Sequence, residues 1–284
     1  MVTLHGVTFG YTKRKKLFRD LDLNLEPGGI HGLLGKNGAG KTTLLKLLCG
    51  LRFPQGGSAQ VLGMNPALRP VELLRDVFLL PEELPVPPVP GGMYLGLYAP
   101  FYPRFDRDAL AAHLREFELD VSGRLTELSY GQKKKFLLAF GLATGARLML
   151  LDEPTNGLDI PSKSQFRRLL ARAASEDRVI VISTHQVRDM ENLIDPVVIL
   201  DDGRIIFNQP VAEVSRRLTV VQEREEPRDG EALYAEKTLG GYTVVRPNTG
   251  SEDSAVDLET LFNTLTSGSS RVAELFSAAS GKEN

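Results

Sequence analysis

Short apolar runs divide this chain, and each ends in residues of a different kind. Ile30-His31-Gly32-Leu33-Leu34 leads into glycines, Leu148-Met149-Leu150-Leu151 into two acids, and Val179-Ile180-Val181-Ile182 into Ser183-Thr184-His185. Runs so short and so continuous predict strands buried on both faces. Helical spacing of apolar residues fills the intervals, over Thr43–Cys49 with Gly50 as the stop, and over about 107–118, 131–145 and 161–174. Strand, helix, strand predicts an α/β fold with a mostly parallel sheet flanked by helices. Residues 2–34 instead alternate in two runs around Tyr11-Thr12-Lys13-Arg14-Lys15-Lys16, which predicts antiparallel strands and a basic turn. Val197–Leu200 and Arg204–Phe207 flank Asp201-Asp202-Gly203, a hairpin signal.

Prolines crowd residues 81–103, so this stretch predicts a loop-rich insertion; Met93, Leu95, Leu97, Phe101 and Phe105 argue that it packs on the body. After about 215 the pattern changes. Glu223–Gly230 is a charged linker, a hairpin is predicted from Ala232–Lys237 and Tyr242–Arg246, and a short helix over about 257–266 precedes a polar tail. The expected organisation is a main domain over 1–214, with a helical insertion over about 83–145, and a small extension over 215–284.

The composition, 42% hydrophobic and 25% charged, is that of an ordinary globular protein. A net charge of −2 gives no support to nucleic-acid binding, and the four-residue basic run reads as a solvated hairpin tip. One cysteine, Cys49, allows no internal disulfide and reads as a small core residue. Val2-Thr3-Leu4 opens a strand-like run without a basic and apolar leader, and no window approaches ~18 apolar residues. The expectation is a cytoplasmic protein whose dealings with a membrane go through a partner.

The chemistry concentrates at Gly35-Lys36-Asn37-Gly38-Ala39-Gly40-Lys41-Thr42, a G-x-x-x-x-G-K-[ST] loop between a strand and a helix. Its backbone N–H groups and the helix N-terminus would cradle phosphates, with Gly35, Asn37, Gly38, Ala39, Gly40, Lys41, Thr42 and Thr43 as the candidate nucleotide-binding set. Lys41 would reach the β- and γ-phosphates and Thr42 would bind Mg²⁺. Asp152 would hold Mg²⁺ at the end of its strand, and Glu153 would polarise an attacking water as general base. His185 could orient that water and donate to the γ-phosphate, or be an ordinary polar residue at a strand end. Ser129 and Gln132 form a capping box, S-x-x-Q, and Ser129 with Gly131 at a helix start also suits an anion.

The order of these segments resembles the ATP-binding cassette (ABC) ATPases: glycine loop, Leu128-Ser129-Tyr130-Gly131-Gln132, Asp152-Glu153, Gly157-Leu158-Asp159, then a strand ending at His185. The resemblance covers about residues 2–210. It implies a P-loop fold with an N-terminal antiparallel β subdomain and a helical signature subdomain. It further implies hydrolysis of Mg-ATP at the interface of a head-to-tail homodimer, driving a separate transmembrane subunit at the inner face of the membrane. Within it, Tyr11 would meet the adenine, while Ser129, Gly131 and Gln132 would meet the nucleotide held by the other subunit and Asp159 would lie at the dimer interface. Asp257-Leu258-Glu259-Thr260-Leu261-Phe262 resembles the tail of export-type members. Three residues depart from the family pattern: Tyr130 for a glycine, Lys36 for a proline, and Glu82 for the glutamine that contacts Mg²⁺ and water. A soluble cassette acting on nucleic acid or ribosomes is the alternative; a single cassette and the acidic balance speak against it, and no nucleic-acid partner is expected.

Overall fold

A computed structural model describes residues 1–228, 230–250, 254–255, 257–267, 272 and 275–276. In chain order the elements are β1 (Val2–Phe9), β2 (Phe18–Leu25), β3 (Ile30–Leu34), α1 (Lys41–Leu48), β4 (Gly56–Val61), α2 (Val71–Leu74), β5 (Val77–Leu80), α3 (Gly91–Tyr98), α4 (Arg107–Glu116) and α5 (Tyr130–Ala143). There follow β6 (Leu148–Asp152), α6 (Ile160–Ala173), β7 (Val179–Thr184), β8 (Val197–Asp201), β9 (Arg204–Gln209), α7 (Val211–Arg217), β10 (Leu218–Glu223), β11 (Tyr234–Thr238), β12 (Gly241–Pro247) and α8 (Leu258–Thr266). Among the described residues, no helix is long and apolar enough to cross a membrane.

The central sheet runs β5-β6-β7-β3-β8-β9, parallel except for β9. β3, β6 and β7 are buried at every position, as their uninterrupted apolar runs require. β1 and β2 pair antiparallel, with β4 on the other edge of β1. One apolar core, including Leu33, Leu44, Leu150 and Val181, joins this small sheet and α1 to the central sheet. Another includes Leu34, Phe78, Phe136, Phe140 and Phe166.

Several elements differ from the pattern-based expectation. The proline-rich insertion contains a helix, α3, bracketed by Pro90 and Pro100. Its Tyr94 ring stands 5.1 Å from Phe136 and 5.2 Å from Phe140, so tertiary packing sets a helix that Gly91-Gly92 and the prolines conceal. β4, β5, α2, α7 and β10 stand in stretches where no element was expected. The division at 214/215 falls inside α7. Beyond it β10, β12 and β11 form an antiparallel sheet in that order, and Leu218, Val245, Leu258 and Leu261 share one apolar core with Phe207 and Val214. The expected hairpin is β11–β12, joined by Leu239 and Gly240. The polar tail lies largely outside the described residues.

Candidate functional site

The chain leaves β3 at Leu34 and turns through Gly35–Gly40 into α1. Gly40 is the N-cap with φ 111, and a Cβ there would meet the Phe18 ring at 2.7 Å. Conformation and space both demand glycine at this point. The helix then opens with Lys41, Thr42 and Thr43 and no acid in its first turn, so its N-terminal dipole meets no negative side chain of its own.

The carboxyl ends of β3, β6 and β7 face the same place. β7 lies between β6 and β3, so Asp152 is one strand removed from the strand that feeds the glycine loop. Contact is made through α1 instead. Thr42 Oγ1 donates to Asp152 Oδ2 at 2.7 Å, and Ser183 on β7 donates to Asp152 Oδ1. Asp152 is 2% exposed. A hydroxyl and a carboxylate together are hard oxygen donors, and Mg²⁺ takes one or two such ligands with substrate phosphates supplying others. Among the described residues no group of three or more His, Cys, Asp or Glu is placed to hold a metal ion, so a Mg²⁺ held by this pair would draw its remaining ligands from water and substrate phosphate.

Glu153 is 5% exposed and holds φ 46, a left-handed conformation unusual for a side chain with a Cβ. Such backbone costs on the order of 1–3 kcal/mol and persists only where neighbours impose it. Its N–H donates to Ser183 O at 3.0 Å, and its carbonyl accepts from Lys134 Nζ at 2.8 Å. His185 Nδ1 stands 2.8 Å from Oε1, and Lys41 Nζ is 3.7 Å from the same oxygen. Oε2 is buried with no hydrogen-bond partner among the described residues. A buried carboxylate oxygen left in this state is where a water molecule can be held. Lys41 also donates to Gly35 O at 2.7 Å. Burial lowers the Lys41 pKa, opposed by the charges of Glu153 and Asp152.

These groups border a cleft of about 640 Å³ lined by Tyr11, Asn37, Lys41, Thr42, Glu82, Glu153 and His185, among others. Tyr11 closes one side: its hydroxyl is 2.9 Å from Thr43 Oγ1, while its ring packs edge-on against Phe9 at 5.2 Å. Lys15, read from the sequence as a solvated hairpin residue, also lines the cleft. Glu82 borders both this cleft and an adjoining hollow shared with Thr42 and Asp152.

Other candidates lie elsewhere. Ser129, Gly131, Gln132 and Asp159 do not line the cleft. Ser129 Oγ accepts from Gln132 N at 3.3 Å, and Gln132 Oε1 accepts from Ser129 N at 2.9 Å, so the capping box is complete. Asp159 caps α6 through Ser162 N at 2.9 Å, and hydrogen bonds from Ser162 hold its carboxyl below the usual range. Lys133, Lys134 and Lys135 follow in the first turns of α5, where the helix dipole disfavours cations and solvent would be their ordinary place. Lys134 is instead fully buried. The signal was its spacing: it shares the helix face of Leu137 and Leu138 at i+3 and i+4. Tyr130, one turn earlier, donates its hydroxyl to Glu82 O at 2.9 Å and lays its ring 5.1 Å from the Lys134 ammonium.

Comparison with known proteins agrees with this geometry. The family profile described as ABC transporter matches residues 18–156. A Streptomyces avermitilis protein bearing the name of an ABC transporter ATP-binding protein is 38% identical over 211 residues, covering 71% of this chain and 36% of the relative. The chain thus spans little more than a third of that relative. The arabinose import ATP-binding protein AraG of Chromohalobacter salexigens is 30% identical over 210 residues, covering 70% of this chain and 42% of AraG. A solved dimeric ATP-binding cassette, in a post-hydrolysis state with ADP and Pi, superposes with a TM-score of 0.65 at 22% identity, covering 74% of this chain and 99% of the cassette.

Proposed function

Since the chain belongs to the ATP-binding cassette family of ABC transporters, we propose that it binds Mg-ATP and hydrolyses it as one half of a head-to-tail homodimer. The observation that carries the reading is the state of Glu153: a buried carboxylate with one oxygen engaged by His185 and Lys41 and the other unpartnered. In this reading Glu153 accepts the proton of an attacking water and His185 orients it. Lys41 meets the transferring phosphate from the glycine loop, with Asn37, Gly38 and Gly40 giving backbone N–H groups. Thr42 and Asp152 hold Mg²⁺, with Glu82 as a further oxygen donor; the ion neutralises phosphate charge when bound. Tyr11 covers the base.

The same reading explains the residues that stay outside the cleft. Ser129, Gly131 and Gln132 occupy an exposed helix start, and Asp159 opens α6 beside it. Placed against a second copy, they would complete that copy's site, so neither subunit hydrolyses alone. Exposed Met93, Leu97 and Phe101 on the helical insertion offer an apolar surface to a transmembrane subunit. The chain would then sit in the cytoplasm, on the inner face of the membrane. Export is the finer part of the proposal and rests on Asp257–Phe262 alone, since the cassette resembles an import protein as well.

The test is Glu153→Gln. The purified variant should bind ATP, lose hydrolysis, and accumulate as a dimer in excess Mg-ATP by light scattering. A variant that stays monomeric there, or one that still turns over, would sink the sandwich mechanism. Nucleotide-sensitive recovery of a multi-spanning protein from solubilised membranes tests the transporter half separately.

A further inference from the structure

Lysine is seldom fully buried without a carboxylate partner, yet Lys134 is 0% exposed and makes its hydrogen bond to a backbone carbonyl. That carbonyl belongs to Glu153, the residue with the left-handed backbone. The two peptide groups flanking the Glu153 Cα are each held: Ser183 O takes the Glu153 N–H, and Lys134 Nζ donates to the Glu153 carbonyl. Without the ammonium, the carbonyl keeps only the longer bond from Asn156 N–H, at 3.3 Å, and the costly conformation loses its one side-chain donor. The carboxylate depends on that conformation for its 2.8 Å contact with His185.

We propose that Lys134 is a positioning residue for Glu153, fixing its main chain so that the carboxylate keeps its place between His185 and Lys41. The proposal rests on the reading of Glu153 as the hydrolytic base. It also gives α5 two functions. The start of the helix presents Ser129 and Gly131 outward, whereas one turn further in the same helix grips Glu153. Tyr130 joins the two: it is four residues before Lys134, its ring faces the ammonium, and its hydroxyl holds the Glu82 carbonyl. A displacement of α5 would therefore be felt at the carboxylate of its own subunit.

The experiment measures kcat and KM for Mg-ATP in the full chain, for wild type, Lys134→Met and Lys134→Gln, with thermal melting of each. Methionine keeps the apolar stem and removes the donor and the burial cost of an ammonium, so the variant should fold. Glutamine, one atom shorter, restores a neutral donor. The expected result is a kcat lowered about 10- to 100-fold in Lys134→Met, as for a displaced catalytic group. KM should hold within about two-fold, and Lys134→Gln should recover most of the loss. Wild-type kcat in Lys134→Met would overturn the proposal. So would a loss that glutamine does not recover, or one that follows a collapse in melting temperature across both variants. Failure of the underlying reading is separate, since it shows as a folded wild-type chain that binds ATP without turnover.

Discussion

Lys134 carries its charge where water does not reach, and burial pushes its pKa down to about 8 against the opposing pull of Glu82, Glu153 and Asp152. The ordinary lysine value is 10.5. Below about 8 the lysine is charged in both folded and unfolded chains, and the folded protein bears the full cost of the buried ammonium. Between about 8 and 10.5 the unfolded chain binds the extra proton, so stability rises with pH through that window. Denaturant midpoints of wild type should therefore gain on those of Lys134→Met between pH 8 and 10.5. Parallel curves for the two proteins would mean that the ammonium is solvated. Lys41 shows how a similar depression is moderated: burial acts first, but Glu153 lies 3.7 Å away.

Elements of this chain are set by local chemistry where the turn residues are strict. Asp202 and Gly203 both take positive φ, 42 and 73, which is the two-residue turn that β8 and β9 require. The tip also presses on the strand after the basic turn: a Cβ on Gly203 would stand 1.8 Å from Leu17 O. Gly203→Ala should lose more than about 1 kcal/mol in denaturant unfolding, strain and clash together. An unchanged midpoint would show that the hairpin can shift. This hairpin, the glycine loop with its helix, and the buried strands β3, β6 and β7 were all visible in the sequence, because turn residues and unbroken apolar runs are local signals. α3 was not, because Tyr94 finds its partners on α5 about forty residues later. β4 was hidden by Gly56-Gly57 and exposed polar positions, and β5 is only four residues long before Pro81. At the site, Asp152, Glu153, Lys41, Thr42 and His185 were visible as ends of strands or starts of helices. Lys134 was not, since a cation at the head of a helix usually faces water.

Across the molecule, the core does not respect the boundary drawn from composition. Leu218, Val245, Leu258 and Leu261 pack in the same apolar cluster as Ile194, Phe207 and Val214. α8 is tied to the segment after His185: Arg188 pairs with Glu259 at 2.5 Å, and Leu258 N donates to Glu191 Oε1 at 2.9 Å. The extension is therefore expected to unfold with the body. Leu261→Ala, at a 0% exposed site, should cost about 2–5 kcal/mol and move one calorimetric transition as a whole. Two transitions, with only the lesser one displaced, would make the extension an independent unit. The thiol at the far end of α1 offers another view of the assembled protein. Cys49 is buried, and burial lifts its pKa to about 11. At neutral pH it presents almost no thiolate while the helix is closed. Alkylation must wait for the end of α1 to fray, and that helix begins with Lys41 and Thr42. The chain thus contains, in its lone cysteine, a chemical stopwatch for the fraying of α1 at the end away from the glycine loop.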